Sequence, residues 1–333
     1  MVYSELIAFT KIIKKMNMKN NSIKKVIFYG IFISFLFASC NTKTTYNDTP
    51  TTGNINISVD ETFQPIAQAE IDVFEGIYNY ATIIPKYCSE IDAFNLLLKD
   101  SVRLIISSRK LTAQEKDFFE SKKFFPKEIK IAVDAIAIIV NPENKDTLIS
   151  VEMLKQILTG KTTKWKQLYS DSKLDEIKFV FDNPNSGTIR YLIDSVCKGE
   201  KLSENLTAMK NNSDVIDFVS KIKNAIGIIG VSWVSDKDDT TSMSFLKKVK
   251  VMAVSKETKP TYENSFQPYQ AYMATKQYPL RRDIYIINSE PRTGLASGFT
   301  SFVASERGQR IILKYGILPA TQPIRIIKVN DDF

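Results

Sequence analysis

Polar and apolar residues alternate from Asn54 to Val59, the two-residue period of a half-buried strand. The period then lengthens, and Phe63–Tyr78 carries the spacing of an amphipathic helix. Ala81–Ile84 predicts a short strand. Ser89, with Asp92 three places on, opens a helix in a capping-box-like arrangement. Val102–Ile106 reads as a buried strand, and Thr112 with Glu115 is a full capping-box signature before the next helix. Ile129–Val140 is a long apolar strand ended by Asn141-Pro142. Ser150 caps a helix through Leu158 that stops at Gly160. Lys178–Phe181 predicts a strand and Ser186–Cys197 a helix. Ser213 is the expected cap of a helix over Asp214–Ile222. Ala225–Val234, Val249–Val254 and Ile284–Ile287 follow as strands, Gly298–Tyr315 as one helix, and Ile324–Val329 as a last strand.

Strands alternating with helices indicate an α/β architecture with mostly parallel sheets. The chain has no internal repeat and no low-complexity tract, and its 333 residues suffice for about two domains of ordinary size. No Gly/Pro/Ser linker divides the folded part. Two domains without one linker imply two lobes joined by more than one crossing, with Ile129–Val140 and Arg281–Ile287 as the candidate crossings.

The chain carries 45 Lys+Arg against 37 Asp+Glu, a net charge of +8. That balance invites a polyanion partner until the charge is located. Lys11, Lys14, Lys15, Lys19, Lys24 and Lys25 precede an apolar run from Val26 to Phe37 and then Ala38-Ser39-Cys40. This is the layout of a signal peptide, too short for a spanning helix. The small residues before Cys40 resemble the lipobox of bacterial lipoproteins, with Phe37 where Leu is commonest. The resemblance implies a signal peptide over 1–39, lipidation at Cys40, and membrane attachment through that lipid. The Thr-rich stretch to Gly53 would be a flexible tether over 40–53. Without residues 1–39 the count is 39 basic and 36 acidic side chains, or +3. No basic run with interleaved aromatics remains, so no nucleic-acid partner is expected. Cys88 and Cys197 are expected as free thiols.

There is no histidine at all. That excludes a Ser-His-Asp triad, a Cys-His dyad and a His-ligated metal. Three scattered Cys exclude a thiolate cage, so neither a metal nor a cofactor is expected. Without a nucleophile–base constellation, no enzyme activity is expected either. Hydroxyls, backbone amides, carboxylates and guanidiniums are what remains.

Three strand-to-helix junctions concentrate those groups: Asp60-Glu61-Thr62-Phe63, Cys88-Ser89-Glu90 with Ser107-Ser108-Arg109, and Asn183-Pro184-Asn185-Ser186-Gly187-Thr188. Helix starts leave amides unpaired and attract anions, and ligands of α/β sheets bind beyond the carboxyl ends of strands. Each junction alone is also an ordinary turn plus cap. Trp165 and Trp233 read as packing residues, and Tyr269 and Tyr272 as interlobe packing.

At these residues the chain resembles the PstS-like phosphate-binding proteins of ABC importers, in a Bacteroidetes lipoprotein style. The correspondence runs from about Gly53 to Val329. It includes Asp60 to Phe63, Ser108 to Glu115, Val133 to Pro142, Leu158 to Trp165, Asn185 to Thr188, Ala225 to Gly230, Tyr278-Pro279-Leu280 and Gly308 to Pro319. The resemblance implies a two-lobed type II periplasmic-binding-protein fold. Lobe one would take 54–139 plus 276–333, and lobe two 140–275. Inorganic phosphate would sit between the lobes, and a monomer on the periplasmic side of the envelope would pass it to membrane permease subunits.

By position, Thr62, Phe63, Ser89, Ser108, Ser186, Gly187 and Thr188 match phosphate-binding positions of that family. The pattern departs where many members carry Arg four residues before the loop serine, since Asp182 stands there. Arg109 and Arg190 are the replacement candidates. Asp60 and Glu61 are candidate proton acceptors. The departures keep open another oxyanion or a small anionic metabolite as ligand. A sensor or structural lipoprotein that keeps the fold without feeding a transporter is a further alternative.

Overall fold

The computed structural model describes residues 48–235 and 247–321. The expected signal peptide, Cys40, most of the tether and the strand over Ile324–Val329 lie outside the described residues. Among these, no helix is long and apolar enough to cross a membrane.

Strand β1 (Thr52–Asp60) leads through a 3-10 turn, Glu61–Phe63, into helix α1 (Gln64–Ile77). Strand β2 (Tyr80–Cys88) runs parallel to β1 and is longer than its apolar pattern suggests. Among the described residues it pairs only with β1, and that edge position tolerates Pro85 and Lys86. Helix α2 (Glu90–Leu98), strand β3 (Leu104–Ser107) and helix α3 (Ala113–Ser121) follow, with Ser89 and Thr112 capping as expected. The Thr112–Glu115 capping box is complete.

Strand β4 (Lys127–Val140) is nearly all buried in its second half. After it come β5 (Leu148–Ser150), α4 (Val151–Leu158), α5 (Trp165–Leu168), β6 (Lys178–Phe181) and α6 (Gly187–Tyr191). Helix α6 widens into a π-helical turn over Leu192–Val196. Strand β7 (Thr207–Ala208), helix α7 (Asn212–Lys221) and strand β8 (Ala225–Gly230) complete this stretch. The remainder comprises β9 (Lys250–Val251), β10 (Ala253–Ser255), β11 (Ser265–Phe266), α8 (Gln270–Ala274), β12 (Arg281–Asn288), α9 (Leu295–Ala304), α10 (Glu306–Lys314) and β13 (Leu318–Pro319).

The main sheet runs β2-β1-β3-β12-β4-β8-β6-β7. Strands β1, β2 and β3 are mutually parallel where they pair, as are β6 with β7 and β8. Strand β4 joins the two groups. Its first half pairs antiparallel with β12, from Lys127↔Asn288 to Ala135↔Arg281, and its second half with β8, from Ile136↔Gly230 to Val140↔Ile226. The partner exchange at Ala135/Ile136 gives β4 two hydrogen-bonding neighbours in succession. Helix α1 packs on β2 and α7 on β8. One large apolar cluster runs through both groups, and a smaller one around Phe94, Leu97, Val102 and Phe119 sits under α2 and α3.

Four sequence expectations are corrected. The helix over Asp214–Ile222 begins at Asn212, and its cap is Asn211, whose Oδ1 accepts from Asp214 N, rather than Ser213. The strand from Ala225 stops at Gly230, where a 3-10 turn over Val231–Trp233 takes over. Val249–Val254 is shared between two sheets, with β9 on β4, β10 on β5, and Met252 between them. The helix over Gly298–Tyr315 is two helices. Ser305 is extended, at ψ 166°, and caps α10, while α9 starts three residues before Gly298. Gly298 is a packing residue, since any Cβ there would collide with the Pro50 carbonyl. Cys88 and Cys197 are free thiols, as expected.

Candidate functional site

Three loops at the carboxyl ends of β1, β3 and β6 meet around Gly187. Asp60, the last residue of β1, is fully buried and uses Oδ1 to accept from Thr62 N at 3.1 Å and Thr62 Oγ1 at 3.0 Å. Its second oxygen accepts from Gly187 N at 3.0 Å, across 127 positions of sequence. Thr62 Oγ1 and Thr188 Oγ1 lie 3.3 Å apart. A Cβ at Gly187 would sit 2.5 Å from Asp60 Oδ2 and Ser108 Oγ, and 2.8 Å from Glu90 Oε1. Only glycine fits at this convergence, which is a reason of space, not of backbone angle.

Most donors in the cluster face a carboxylate. Ser107 Oγ and Ser108 Oγ both donate to Glu90 Oε1 at 2.8 Å, joined by Ser108 N at 3.1 Å. Ser186 Oγ donates to Asp182 Oδ1 at 2.7 Å while capping α6 through Ile189 N. Glu61 is held by Asn212, whose Nδ2 donates to its Oε2 at 2.6 Å. Trp233 closes the side of the cluster by donating to the Thr62 carbonyl at 2.9 Å.

Two guanidiniums enter. Arg190 Nε donates to Glu90 Oε2 at 2.5 Å and its Nη2 to Ser108 Oγ at 2.8 Å. Arg282 lies behind, almost fully buried on β12, with Nε on Asp134 Oδ2 at 3.0 Å and Nη1 on Thr188 Oγ1 at 3.2 Å. Its guanidinium carbon stands 4.9 Å from the centroid of the Phe63 ring.

The carboxylates are not equivalent. Burial raises Asp60 to about 6, with the charge of Glu90 adding to the rise and Arg282 opposing it. Burial raises Asp182 to about 7 against the hydrogen bond from Ser186, and Glu61 to about 7 against those from Asn212. Burial also acts on Glu90, but Arg190 and the two serine hydroxyls outweigh it and hold this carboxyl below its ordinary value. Near neutrality the site therefore keeps one firm anion, Glu90, beside three carboxyls that exchange protons.

An open cleft of about 680 Å³ adjoins this cluster. Asp60, Glu61, Asp92 and Asp182 line it, against Lys210 as its one basic residue. Among the described residues, no group of three or more Cys, Asp or Glu is placed to hold a metal ion.

The sequence-derived candidates divide. Asp60, Glu61, Thr62, Phe63, Ser108, Ser186, Gly187, Thr188 and Arg190 are brought together. Ser89 lines the cleft, but its hydroxyl accepts from Asp92 N and donates to Asp92 Oδ2. Arg109 stands aside: it binds Glu115 bidentately at 2.7 and 2.8 Å and stacks 3.4 Å over Phe94, with Nε 3.9 Å from Glu90. Glu90, Asn212 and Arg282 escaped the sequence reading. Glu90 stood beside Ser89 without a signal of its own, and Arg282 was hidden in a strand chosen as a crossing.

A family model described as a PBP superfamily domain matches residues 44–307. A phosphate-binding protein PstS of Borreliella burgdorferi is 26% identical over 270 residues, covering 79% of this chain and 89% of the relative. One of Bacillus subtilis is 24% identical over 314 residues, covering 91% and 96%. In structure, the chain is similar to a substrate-binding protein from Clostridium perfringens assigned to phosphate ABC transport and holding bound phosphate. That match has a TM-score of 0.69 at 23% identity, over 81% of this chain and 100% of the other. An ABC-type phosphate transport receptor from Vibrio cholerae gives 0.59 at 22% identity, over 80% and 100%.

Proposed function

The chain belongs to the PBP superfamily, and on that premise we propose that it captures inorganic phosphate outside the cytoplasm and hands it to the membrane subunits of an ABC importer. The observation that carries this reading is the convergence on Gly187 of Thr62, Ser108, Ser186, Thr188 and Arg190 from three separate loops. Amides and hydroxyls bind an oxyanion without needing a counter-charge of their own, and Arg190 adds a charge-assisted donor. Phosphate would take over the donors that now face the Asp60 and Glu90 carboxylates. The relatives' names and the phosphate in the Clostridium perfringens structure support the choice of anion.

Asp60 gives the site its selectivity in this reading. A carboxylate held among donors accepts a proton from protonated phosphate, whereas fully deprotonated sulfate leaves acceptor against acceptor. The lobes would be 54–139 with 276–333, and 140–275, hinged where β4 exchanges partners; ligand binding would close them. The protein would act as a monomer, tethered through a lipid on Cys40, on the periplasmic side of the envelope.

Calorimetry of the purified chain with phosphate, arsenate and sulfate tests the proposal. One phosphate per chain with sulfate at least about 100-fold weaker is expected. Equal affinities for phosphate and sulfate would sink the role given to Asp60, and absence of phosphate binding would sink the function. Uptake of radiolabelled phosphate in a deletion strain separates transport from sensing.

A further inference from the structure

A second cavity, of about 600 Å³, adjoins the same cluster, and Ser108 and Arg282 line it. These two residues also touch the phosphate loops, through Arg190 and Thr188. The cavity therefore abuts the proposed phosphate seat through these two residues. Its charge is the reverse of the acidic cleft: six basic side chains line it, with Asp283 as the one carboxylate.

Asp283 is already engaged, by Lys130 Nζ at 2.6 Å and by the Tyr285 hydroxyl at 2.9 Å. Arg109 and Arg282 are paired with Glu115 and Asp134. Three cations are left. Lys110 stands 5.3 Å from the Tyr285 ring centroid. Arg281 Nη1 donates to the Met273 carbonyl at 2.8 Å. Among the described residues, Lys110, Lys276 and Arg281 make no ion pair with a carboxylate. A concave site with unneutralised cations that abuts a phosphate seat has the chemistry of an anion subsite.

We propose that this cavity is a second oxyanion subsite, and that with the first it takes an inorganic condensed phosphate such as diphosphate, one phosphoryl group in each. This rests on the phosphate reading of the first site. Condensed phosphate carries its charge on adjacent groups. An orthophosphate held at Gly187 uses one subsite only, while diphosphate engages the cations of the cavity as well.

Titration calorimetry of the purified full chain with orthophosphate and with diphosphate tests this, together with the double variant Lys110→Gln/Lys276→Gln. Neither lysine belongs to the first site. The expected result is one diphosphate per chain, competing with orthophosphate and bound at least as tightly. The double variant should weaken diphosphate about tenfold while orthophosphate stays within about twofold. Circular dichroism and the melting temperature verify that the variant is folded. Orthophosphate binding without diphosphate binding overturns the subsite alone. An equal loss for both ligands in the variant, or no loss for diphosphate, also overturns it. Binding of neither ligand by the unmodified chain overturns the phosphate reading, and this inference with it.

Discussion

Two cavities adjoin one cluster of neutral donors, and their charges are opposite. Asp60, Glu61, Asp92 and Asp182 line one against a single lysine, while six basic residues line the other against a single aspartate. An anion seated between them at Gly187, as proposed, would meet two different demands. On the basic side it is attracted by a field that salt can screen. On the acidic side it must coexist with carboxyls, and it can do so because Asp182 and Glu61 hold protons up to about pH 7, while Asp60, ionised above about 6, is left to accept the phosphate proton. The difference assigns approach to one face and proton exchange to the other.

The strongest way to break the comparison is to fill the point where the two faces meet. Gly187→Ala places a methyl carbon 2.5 Å from Asp60 Oδ2 and Ser108 Oγ. Phosphate affinity should fall by more than about 100-fold in calorimetry, as expected when a buried donor set is displaced, with the far-ultraviolet dichroism unchanged. Retained affinity would place the anion elsewhere.

Next in size is Arg190→Ala. It removes the cation that bridges Glu90 and Ser108 and leaves Glu90 without its guanidinium. A charge-assisted hydrogen bond is worth about 2 kcal/mol, so the dissociation constant should rise about 30-fold. The conservative Arg190→Lys should recover part of that loss. Arg109→Ala, by contrast, should change phosphate affinity less than about threefold, since Arg109 is held by Glu115.

The acidic face is sharpened by pH. Raising pH through about 7 strips protons from Asp182 and Glu61 and adds negative charge beside the anion. Affinity therefore falls as pH rises through about 7. Each proton taken up on binding changes affinity about tenfold per pH unit. Asp182→Asn removes one such proton, so affinities measured from pH 6 to pH 8 should fall less steeply in the variant than in the unmodified chain. Identical slopes would remove Asp182 from the account.

The smallest effect belongs to the basic face. Raising ionic strength from about 0.05 M to about 0.5 M should slow phosphate association about threefold in stopped flow, with dissociation nearly unchanged. An association rate indifferent to salt would deny the basic cavity a part in capture.

Local patterns carried most of the fold. Alternation at Asn54–Val59, the Thr112–Glu115 box and the apolar run into Val140 each follow from neighbours in sequence, and each was legible. The helix over Gly298–Tyr315 was not. The break at Ser305 depends on a cap, and Gly298 lies inside the first helix as a packing residue because Pro50 approaches it from far along the chain. The site divides in the same way. Hydroxyls at helix starts announce themselves, so Thr62, Ser108, Ser186 and Thr188 could be named. Asp60, Glu61 and Arg190 could be named too, but not what they pair with, because Asp60 meets Gly187 across 127 positions and Arg190 meets Glu90 across 100. Arg109 is the opposite case: an arginine next to a candidate serine is engaged by a glutamate six residues away.

The account turns on whether an anion can displace carboxylates from the donors around Gly187. A crystal structure with phosphate measures this directly. The prediction is a phosphate oxygen on Gly187 N in place of Asp60 Oδ2, with Arg190 and Ser108 turned to the same anion. A phosphate lying only in the basic cavity, with the Asp60–Gly187 and Glu90–Ser108 bonds intact, would contradict it.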